Sequence, residues 1–354
     1  MDWMIYGANG YTGELIAREA KTRGKAPILA GRNASKIAGL AGELHLPSKA
    51  FALQSPPEIA AALQNVGVLL NCAGPFSKTA DPLIRACLAT KTHYLDITGE
   101  IEVLEAAHRL DAEAKSAGVV LCPGAGFDVV PTDCIALMLK KQLPEATDLA
   151  LGFEIADRHM SPGTAKTTVE GLGKSGKIRR AGRIVELPIG QGSRHIDFGR
   201  GRKLAIPIPW GDVASAYYTT GIPNITVYTP VSSASLNVAR LINGLGFILR
   251  SPWVQNWLVG MIEKNVKGPA AATREASRTW VWGEARDASG QSREMRIVTL
   301  NGYSFTVQSS LAIVEYLMSN DPPPGCWTPA LLMGENFILS LPGTSALDLP
   351  RPME

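Results

Sequence analysis

The chain has 354 residues, enough for two domains of about 150 residues each with proper cores. Apolar residues make up 45% and charged residues 19%, as in soluble globular proteins, and a net charge of +3 with no Lys/Arg block argues against nucleic acid as a partner. Five cysteines without Cys-x-x-Cys spacing read as buried thiols of a reducing compartment, and five scattered histidines leave no metal site to expect.

Asp2 and Trp3 lead directly into a first strand, with no room for a signal peptide ahead of it, so the cytoplasm is the expected location. The apolar run Trp3 to Tyr6 breaks into Gly7-Ala8-Asn9-Gly10-Tyr11-Thr12-Gly13, and Glu14 to Arg23 reads as a helix. In a βαβ unit the first glycine makes the tight turn and the second lets backbone approach a pyrophosphate. The third lets helix pack on strand, and the helix N-terminus offers free N–H groups to the phosphates. Gly7, Asn9, Gly10, Tyr11, Thr12 and Gly13 are therefore the expected dinucleotide turn.

Ala26 to Ala30 predicts a second strand, ending in Gly31-Arg32-Asn33. An acid here would hold the 2′-hydroxyl of NAD, whereas a cation would meet the 2′-phosphate of NADP. No acid lies between Gly31 and Gly42, while Arg32 and Lys36 supply two positive charges, so NADP(H) is the expected cofactor, with Asn33 beside it. Ser35 is the expected cap of a helix through Leu44. Phe51 to Leu53 predicts a third strand and Pro57 to Leu63 a helix. Val66 to Asn71 is continuously apolar, the mark of a buried parallel strand. It runs into Cys72-Ala73-Gly74-Pro75-Phe76, whose backbone is expected along the cofactor at the topological switch point.

Asp81 is the expected cap of a helix from Pro82 to Thr90. His93 to Glu100 gives a strand and a polar turn, the helix from Ile101 ends near Gly118, and Val119 to Cys122 is a further strand. The run Pro123 to Asp133 then holds enough Gly and Pro for close backbone approach to a ligand, and a helix follows through Lys141. Beyond it, Asp148 to Ala156, Arg183 to Leu187, His195 to Phe198, Lys203 to Ile208 and Asn224 to Thr229 predict short strands. Trp280 to Arg286 and Met295 to Leu300 predict a hairpin, with helices near Thr164 to Gly173 and Thr306 to Ser319 and a final helix over Thr328 to Leu339. The fold class expected is α/β: an N-terminal Rossmann doubly wound parallel sheet plus an α+β domain with a mostly antiparallel sheet, and a C-terminal helix returning to the first domain. The boundaries expected are 1–146, 147–320 and 321–354.

The stretch 236–262 carries twelve large apolar residues but is broken by Arg240, Arg250 and Pro252. Its uncharged runs fall short of the ~20 residues a spanning helix needs. Buried or interface helices compete there with an apolar substrate mouth and a peripheral membrane or lipid contact.

Tyr-Gly-Ala-Asn-Gly-Tyr-Thr-Gly at 6–13, Ala-Gly-Arg at 30–32, Asn-Cys-Ala-Gly-Pro-Phe at 71–76, Tyr-x-Asp-x-Thr-Gly-Glu at 94–100 and Gly-Phe-Asp-x-Val-Pro-x-Asp at 126–133 resemble the saccharopine dehydrogenase-like family. More narrowly they are similar to its branch with trans-acting enoyl reductases and the vertebrate saccharopine dehydrogenase-like oxidoreductase. The resemblance is strong over about the first 135 residues. It implies an NADP-binding Rossmann domain with an inserted α+β domain, and leaves the substrate open between imines and carbon–carbon double bonds. The short-chain dehydrogenases are a rival set aside, since none of the eight tyrosines has a lysine four residues on.

Chemistry at such a site needs a group at a strand end that gives or takes a proton. Tyr94, Asp96, Glu100 and Asp128 are the catalytic candidates. Each has a structural alternative: Asp96 could cap a turn, Thr98 and Glu100 could form a capping pair, and Asp128 could bind loop N–H groups. Lys166 is a further candidate for a substrate anion. The reading is an NADPH-dependent reductase of an unsaturated, enoyl-type, apolar or lipid-like small molecule, with a homodimer expected. An imine reductase would use cations such as Arg158, Lys174, Lys177, Arg179, Arg180 and Arg183. A non-catalytic NADP-binding protein with a membrane- or partner-binding patch is the remaining alternative.

Overall fold

The computed structural model describes residues 2–156, 161–163, 165, 169, 175–234, 236, 251–266 and 268–348. These fall into two compact units, Met1–Asp128 with Tyr303–Met333, and Val129–Gly302 with Gly334–Glu354.

The chain opens with β1 (Asp2–Tyr6), α1 (Tyr11–Thr22), β2 (Ile28–Gly31) and α2 (Ala34–Leu44). The cap of α2 is Asn33, whose side chain accepts the Lys36 N–H at 3.0 Å, so Ser35 lies inside the helix and not at its cap. Next come β3 (Ser48–Ala50), α3 (Pro56–Ala62), β4 (Val66–Asn71) and α4 (Phe76–Thr90). The strand expected at 51–53 is displaced to β3, because residues 48–50 are the ones that pair with β2. The cap expected at Asp81 is also corrected: α4 starts six residues earlier than expected, at Phe76, and carries Pro82 within it. Then follow β5 (His93–Asp96), α5 (Ile101–Arg109), α6 (Asp111–Ala117) and β6 (Val120–Cys122). The single helix expected to Gly118 is thus two, divided at Leu110.

The second unit begins with α7 (Val130–Gln142), β7 (Ala146–Ile155), β8 (Gly176–Arg180), β9 (Arg183–Leu187), β10 (Arg194–Asp197) and β11 (Arg202–Ile208). It continues through α8 (Asp212–Thr220), β12 (Asn224–Pro230), α9 (Pro252–Asn265), α10 (Ala271–Ala276), β13 (Arg278–Asp287) and β14 (Ser292–Leu300). The first unit then resumes with α11 (Gly302–Ser319), β15 (Gly325–Cys326) and α12 (Pro329–Met333). A short α13 (Phe337–Ser340) and β16 (Ser345–Asp348) return to the second. The expected final helix is therefore two short ones, interrupted at Gly334, whose φ of +85° only glycine adopts at little cost.

The first sheet has the order β15-β6-β5-β4-β1-β2-β3, with every pair parallel. The first six of its strands follow the doubly wound dinucleotide-binding order, with the switch point between β1 and β4. Strands β1, β2 and β4 are almost wholly buried, as parallel strands covered by helices on both faces must be. The second sheet runs β10-β11-β12-β7-β13-β14-β16, with β8 attached to β12 and β9 to β8. Only β12 and β7 pair in parallel there; the rest is antiparallel.

The domain boundaries differ from the expected ones for a packing reason. Helix α7 lies on β13 so closely that a Cβ on Gly283 would stand 2.4 Å from Ile135 and 2.9 Å from Leu139, which puts residues 129–146 with the second sheet. Helix α11, expected in the second domain, belongs to the first unit, and the segment after 321 divides between the units at Gly334. Of the helix expected over Thr164–Gly173 only residues 165 and 169 are described, and the candidates Arg158, Lys166 and Lys174 lie outside the described residues, as do 237–250 of the apolar stretch.

Candidate active site

Because the sheet is parallel, the loops after β1, β2, β4, β5 and β6 share one edge. The turn after β1 is closed by the Gly7 and Ala8 N–H groups, which both donate to the Ala30 carbonyl at 2.8 and 3.1 Å. Gly7 has φ +82°, and a Cβ there would sit 2.8 Å from the Ala73 nitrogen, so the first glycine lets the β1 and β4 turns touch. A Cβ on Gly13 would lie 2.4 Å from the Gly7 carbonyl oxygen, which makes it the closest helix–strand approach of the three. Gly10 is different. Its φ of −79° suits any residue and its nearest obstacle is 3.2 Å away, so what it leaves open is the space above the turn. Asn9, Tyr11 and Thr12 are half-buried around that space.

At the end of β2, Arg32 and Lys36 are exposed, and neither side chain makes a hydrogen bond or ion pair among the described residues. The one nearby acid of α2, Glu43, is bound by Arg18 at 2.7 Å. Two uncommitted cations and no acid at this strand end fit a 2′-phosphate. Asn33 has its side-chain oxygen engaged as the cap of α2.

The turn after β4 holds the Gly74–Pro75 cis bond, and the Cys72 N–H donates to the Tyr6 carbonyl at 2.8 Å, continuing the β1–β4 ladder. Burial pushes the Cys72 thiol up, with Asp96 adding to it, so this cysteine is a neutral packing group. Ala73 donates its N–H to the Asn71 side-chain oxygen at 3.0 Å and accepts the Thr79 hydroxyl at 2.7 Å.

Three of the four candidate acids are consumed by the structure. Tyr94 and Asp96 are fully buried. The Tyr94 hydroxyl donates to Asp96 at 2.8 Å and accepts from the Asn71 amide at 3.2 Å. Asp96 also accepts the N–H groups of Thr98 at 3.0 Å and Gly124 at 2.9 Å. Burial raises Asp96 to about 6 and the hydrogen bonds hold it from going higher; burial likewise pushes Tyr94 well up. Glu100 accepts the Phe76 N–H at 2.8 Å and the Ser77 N–H at 2.7 Å, so its carboxylate satisfies the first turn of α4. These three residues fasten the loops after β4, β5 and β6 to one another.

Asp128 differs from them. It is half-buried, and its carboxyl makes no hydrogen bond or ion pair among the described residues. Burial raises it to about 7. Gly99 lies against it, where a Cβ would stand 2.9 Å from its Oδ2. A carboxyl poised near neutrality without a structural partner suits proton transfer. Among the cations read as imine-substrate ligands, Arg179 is buried and donates to the Val213 and Gly182 carbonyls at 2.8 and 2.7 Å, with Tyr217 stacked 4.2 Å away. It is a structural arginine.

Residues 3–122 match the family model of the saccharopine dehydrogenase NADP binding domain. The match runs through the first unit from β1 to β6, the strands that carry the glycine turn and the Arg32/Lys36 strand end. Over 205 residues the chain is 29% identical to a probable mitochondrial saccharopine dehydrogenase-like oxidoreductase of Arabidopsis thaliana, covering 50% of this chain and 44% of that protein. It is 27% identical over 205 residues to a trans-acting enoyl reductase of Mycobacterium bovis, covering 53% and 48%. The chain thus spans about half the length of the curated relatives it matches. The apo saccharopine dehydrogenase (L-Glu forming) of Saccharomyces cerevisiae shares the fold, with a TM-score of 0.63 at 10% identity over 98% of this chain and 100% of that one.

The sequence reading missed Asn71, Thr79 and the contribution of α11. Asn71 had a signal, a polar residue closing an apolar strand. The α11 residues had a weaker one, buried hydroxyls at Thr306, Ser309 and Ser310 inside an apolar helix.

Proposed function

We propose that the protein is an NADPH-dependent reductase of an unsaturated, enoyl-type substrate of apolar or lipid-like character, acting in the cytoplasm, where its five cysteines, all outside disulfides, stay reduced. Asp128 is the group that exchanges the proton. The observation that carries the reading is the uncommitted, half-buried Asp128 carboxyl on the strand edge that also bears the glycine turn. When bound, the nicotinamide supplies the hydride. The chain's own residues do the rest: the Gly7–Gly13 turn takes the pyrophosphate, Arg32 and Lys36 take the 2′-phosphate, and Asp128 holds the proton near neutral pH. NADPH oxidation with a panel of enoyl and imine compounds tests this. Turnover of enoyl compounds that falls about 10²–10⁴-fold in Asp128→Asn is the expected result. Oxidation driven by imines alone would favour the saccharopine-like alternative.

The apolar substrate class is supported by α9. From Pro252 to Ile262 it has no charge, and none of its described side chains is buried. Trp253, Trp257 and Met261 are 76%, 56% and 43% exposed and share one helical face. Tryptophan favours the boundary of water and lipid, and Arg250, Lys264 and Lys267 flank the run in sequence. This face is proposed as a reversible lipid contact, with a second copy of the chain, in a homodimer, as the competing occupant. No described helix is long and apolar enough to cross a membrane.

A further inference from the structure

Helix α11 enters the first unit 175 residues after Phe127, yet its first turns touch both the cofactor turn and the loop that carries Asp128. On one side the Tyr303 ring meets the Tyr11 ring edge-on at 5.1 Å, inside the glycine turn. Further along, Arg23 at the end of α1 hydrogen-bonds Gln308 and lies 3.7 Å from Glu315. Equal stretches of helix separate Tyr11 from Arg23 and Tyr303 from Glu315, so α1 and α11 run side by side with their N-terminal ends level.

On its other side α11 holds the loop after β6. The Phe127 N–H donates to the Thr306 hydroxyl at 3.0 Å, and the Ser309 hydroxyl donates to the Ala125 carbonyl at 2.8 Å. A Cβ on Gly126 would press within 3.0 Å of Thr306, and the Phe127 and Phe305 rings meet edge-on at 6.0 Å. Every residue from Ala125 to Phe127 therefore rests on this helix, and Asp128 is the next in the chain.

In the sheet β1 and β6 are separated by β4 and β5. Three strand spacings amount to about 14 Å, too far for the two loops to fix each other through the ladder. We infer that α11 is the ruler that sets where Asp128 stands relative to the cofactor turn, and that Thr306 is its positioning residue. The inference rests on the reading of Asp128 as the proton-exchanging group. Burial alone raises this carboxyl. Gly99 lies against it; Glu100, next to Gly99, is bound to the Phe76 and Ser77 N–H groups, and Asp133, the nearest acid in sequence, accepts the Thr219 hydroxyl.

The test is a carboxyl-carbon NMR titration of the full chain labelled at aspartate, with the Asp128 signal assigned by its loss in Asp128→Asn. Thr306→Val keeps the shape and removes the acceptor for the Phe127 N–H. It is expected to lower the Asp128 midpoint by about one pH unit or more as water reaches the loosened loop. NADPH affinity by fluorescence should stay within about twofold, and Thr306→Ser should restore the midpoint. Tyr303→Ala should do the converse, weakening NADPH binding about fivefold with the Asp128 midpoint unchanged. An unmoved midpoint in Thr306→Val, or a midpoint equally shifted in Thr306→Ser, overturns the inference. If Thr306→Val does not fold, Ser309→Ala is read by the same criteria. Full turnover in Asp128→Asn would remove the catalytic reading of Asp128, while a shifted midpoint in Thr306→Val would still establish the ruler.

Discussion

Asp96 and Asp128 show how one residue type divides into two roles according to its neighbours. Asp96 accepts one hydroxyl and two backbone N–H groups in a fully buried site. Asp96→Ala strands all three donors at about 1–3 kcal/mol each, so it should lower the melting temperature steeply or prevent folding. Tyr94→Phe removes a single hydroxyl; it should cost about 1–2 kcal/mol in denaturant melts and leave turnover within severalfold, since no reacting group is lost. Asp128→Asn should behave oppositely, folding well and losing turnover. Its stability also carries a sign. The folded carboxyl is raised to about 7 from an ordinary 3.8, so between those values the folded chain holds a proton that the unfolded chain has released. Stability contributed by this group is complete below about pH 4 and is lost as pH rises through about 7. Asp128→Asn should therefore match the parent near pH 4 and exceed it near pH 8, by a few kcal/mol at most, because the group is partly solvated. Urea melts at the two pH values check this, and equal differences at both would remove the burial argument. All four candidate residues were legible in the sequence as strand-end polar groups. Their roles were not, because a role depends on which donors the fold brings to the carboxylate.

At the scale of elements, the turn between β1 and α1 and the end of β2 stand where the sequence places them, because their constraints are local. The three glycines nevertheless do different work. Gly10→Val has a backbone conformation that accepts a side chain, so the fold should survive while NADPH binding disappears from a fluorescence titration. Gly13→Ala places a methyl group 2.4 Å from the Gly7 carbonyl and should destabilise by about 1–3 kcal/mol or more. Arg32→Ala should cost NADP over NAD discrimination about 1.5–3 kcal/mol, the scale of hydrogen bonds to charge, measurable by calorimetry with each cofactor. Helix starts were read less well. Asp81 has the right residue type for a cap, but the first turn of α4 is satisfied by Glu100 from another loop, a partner that no local pattern reveals. In α9 the exposed tryptophans give an element-scale prediction. Replacing Trp253 and Trp257 together by serine should abolish co-sedimentation with vesicles of phosphatidylcholine and phosphatidylglycerol, with NADPH affinity unchanged. Loss of a dimer in sedimentation, with vesicle binding never seen in the parent, would instead assign the face to a second copy.

At the scale of the whole molecule, five of the first six parallel strands were legible because each is a short apolar run between turn signals, whereas β3, the exposed Ser48–Ala50, carries no such run. The sheet that a late element joins has no such local signature. Helix α11 follows directly on β14 and would be assigned to the second sheet by chain order, yet it belongs with the first. Its Phe305, Leu311, Ile313, Val314 and Leu317 are all at most 3% exposed. At roughly 1.5–3 kcal/mol for each large buried side chain, their burial rivals the 5–15 kcal/mol by which a whole domain is stable. Behind α11, β15 pairs with β6 and the Cys326 N–H donates to Asp111 at 2.9 Å, closing an edge that would otherwise be open. A fragment of residues 1–146, the domain boundary suggested by sequence, should therefore lack both the helix that seats residues 125–127 and the strand that covers β6. It should aggregate or bind NADPH far more weakly than the full chain. A chain joining Asp128 to Gly302 through a short Gly/Ser linker and ending at Met333 should fold and bind NADPH within about tenfold of the parent, because Phe127 and Phe305 already touch. Circular dichroism melts and NADPH fluorescence on the two fragments decide the matter. A well-folded, tightly binding 1–146 fragment would show that α11 is dispensable to the cofactor domain, and the ruler would fall with it.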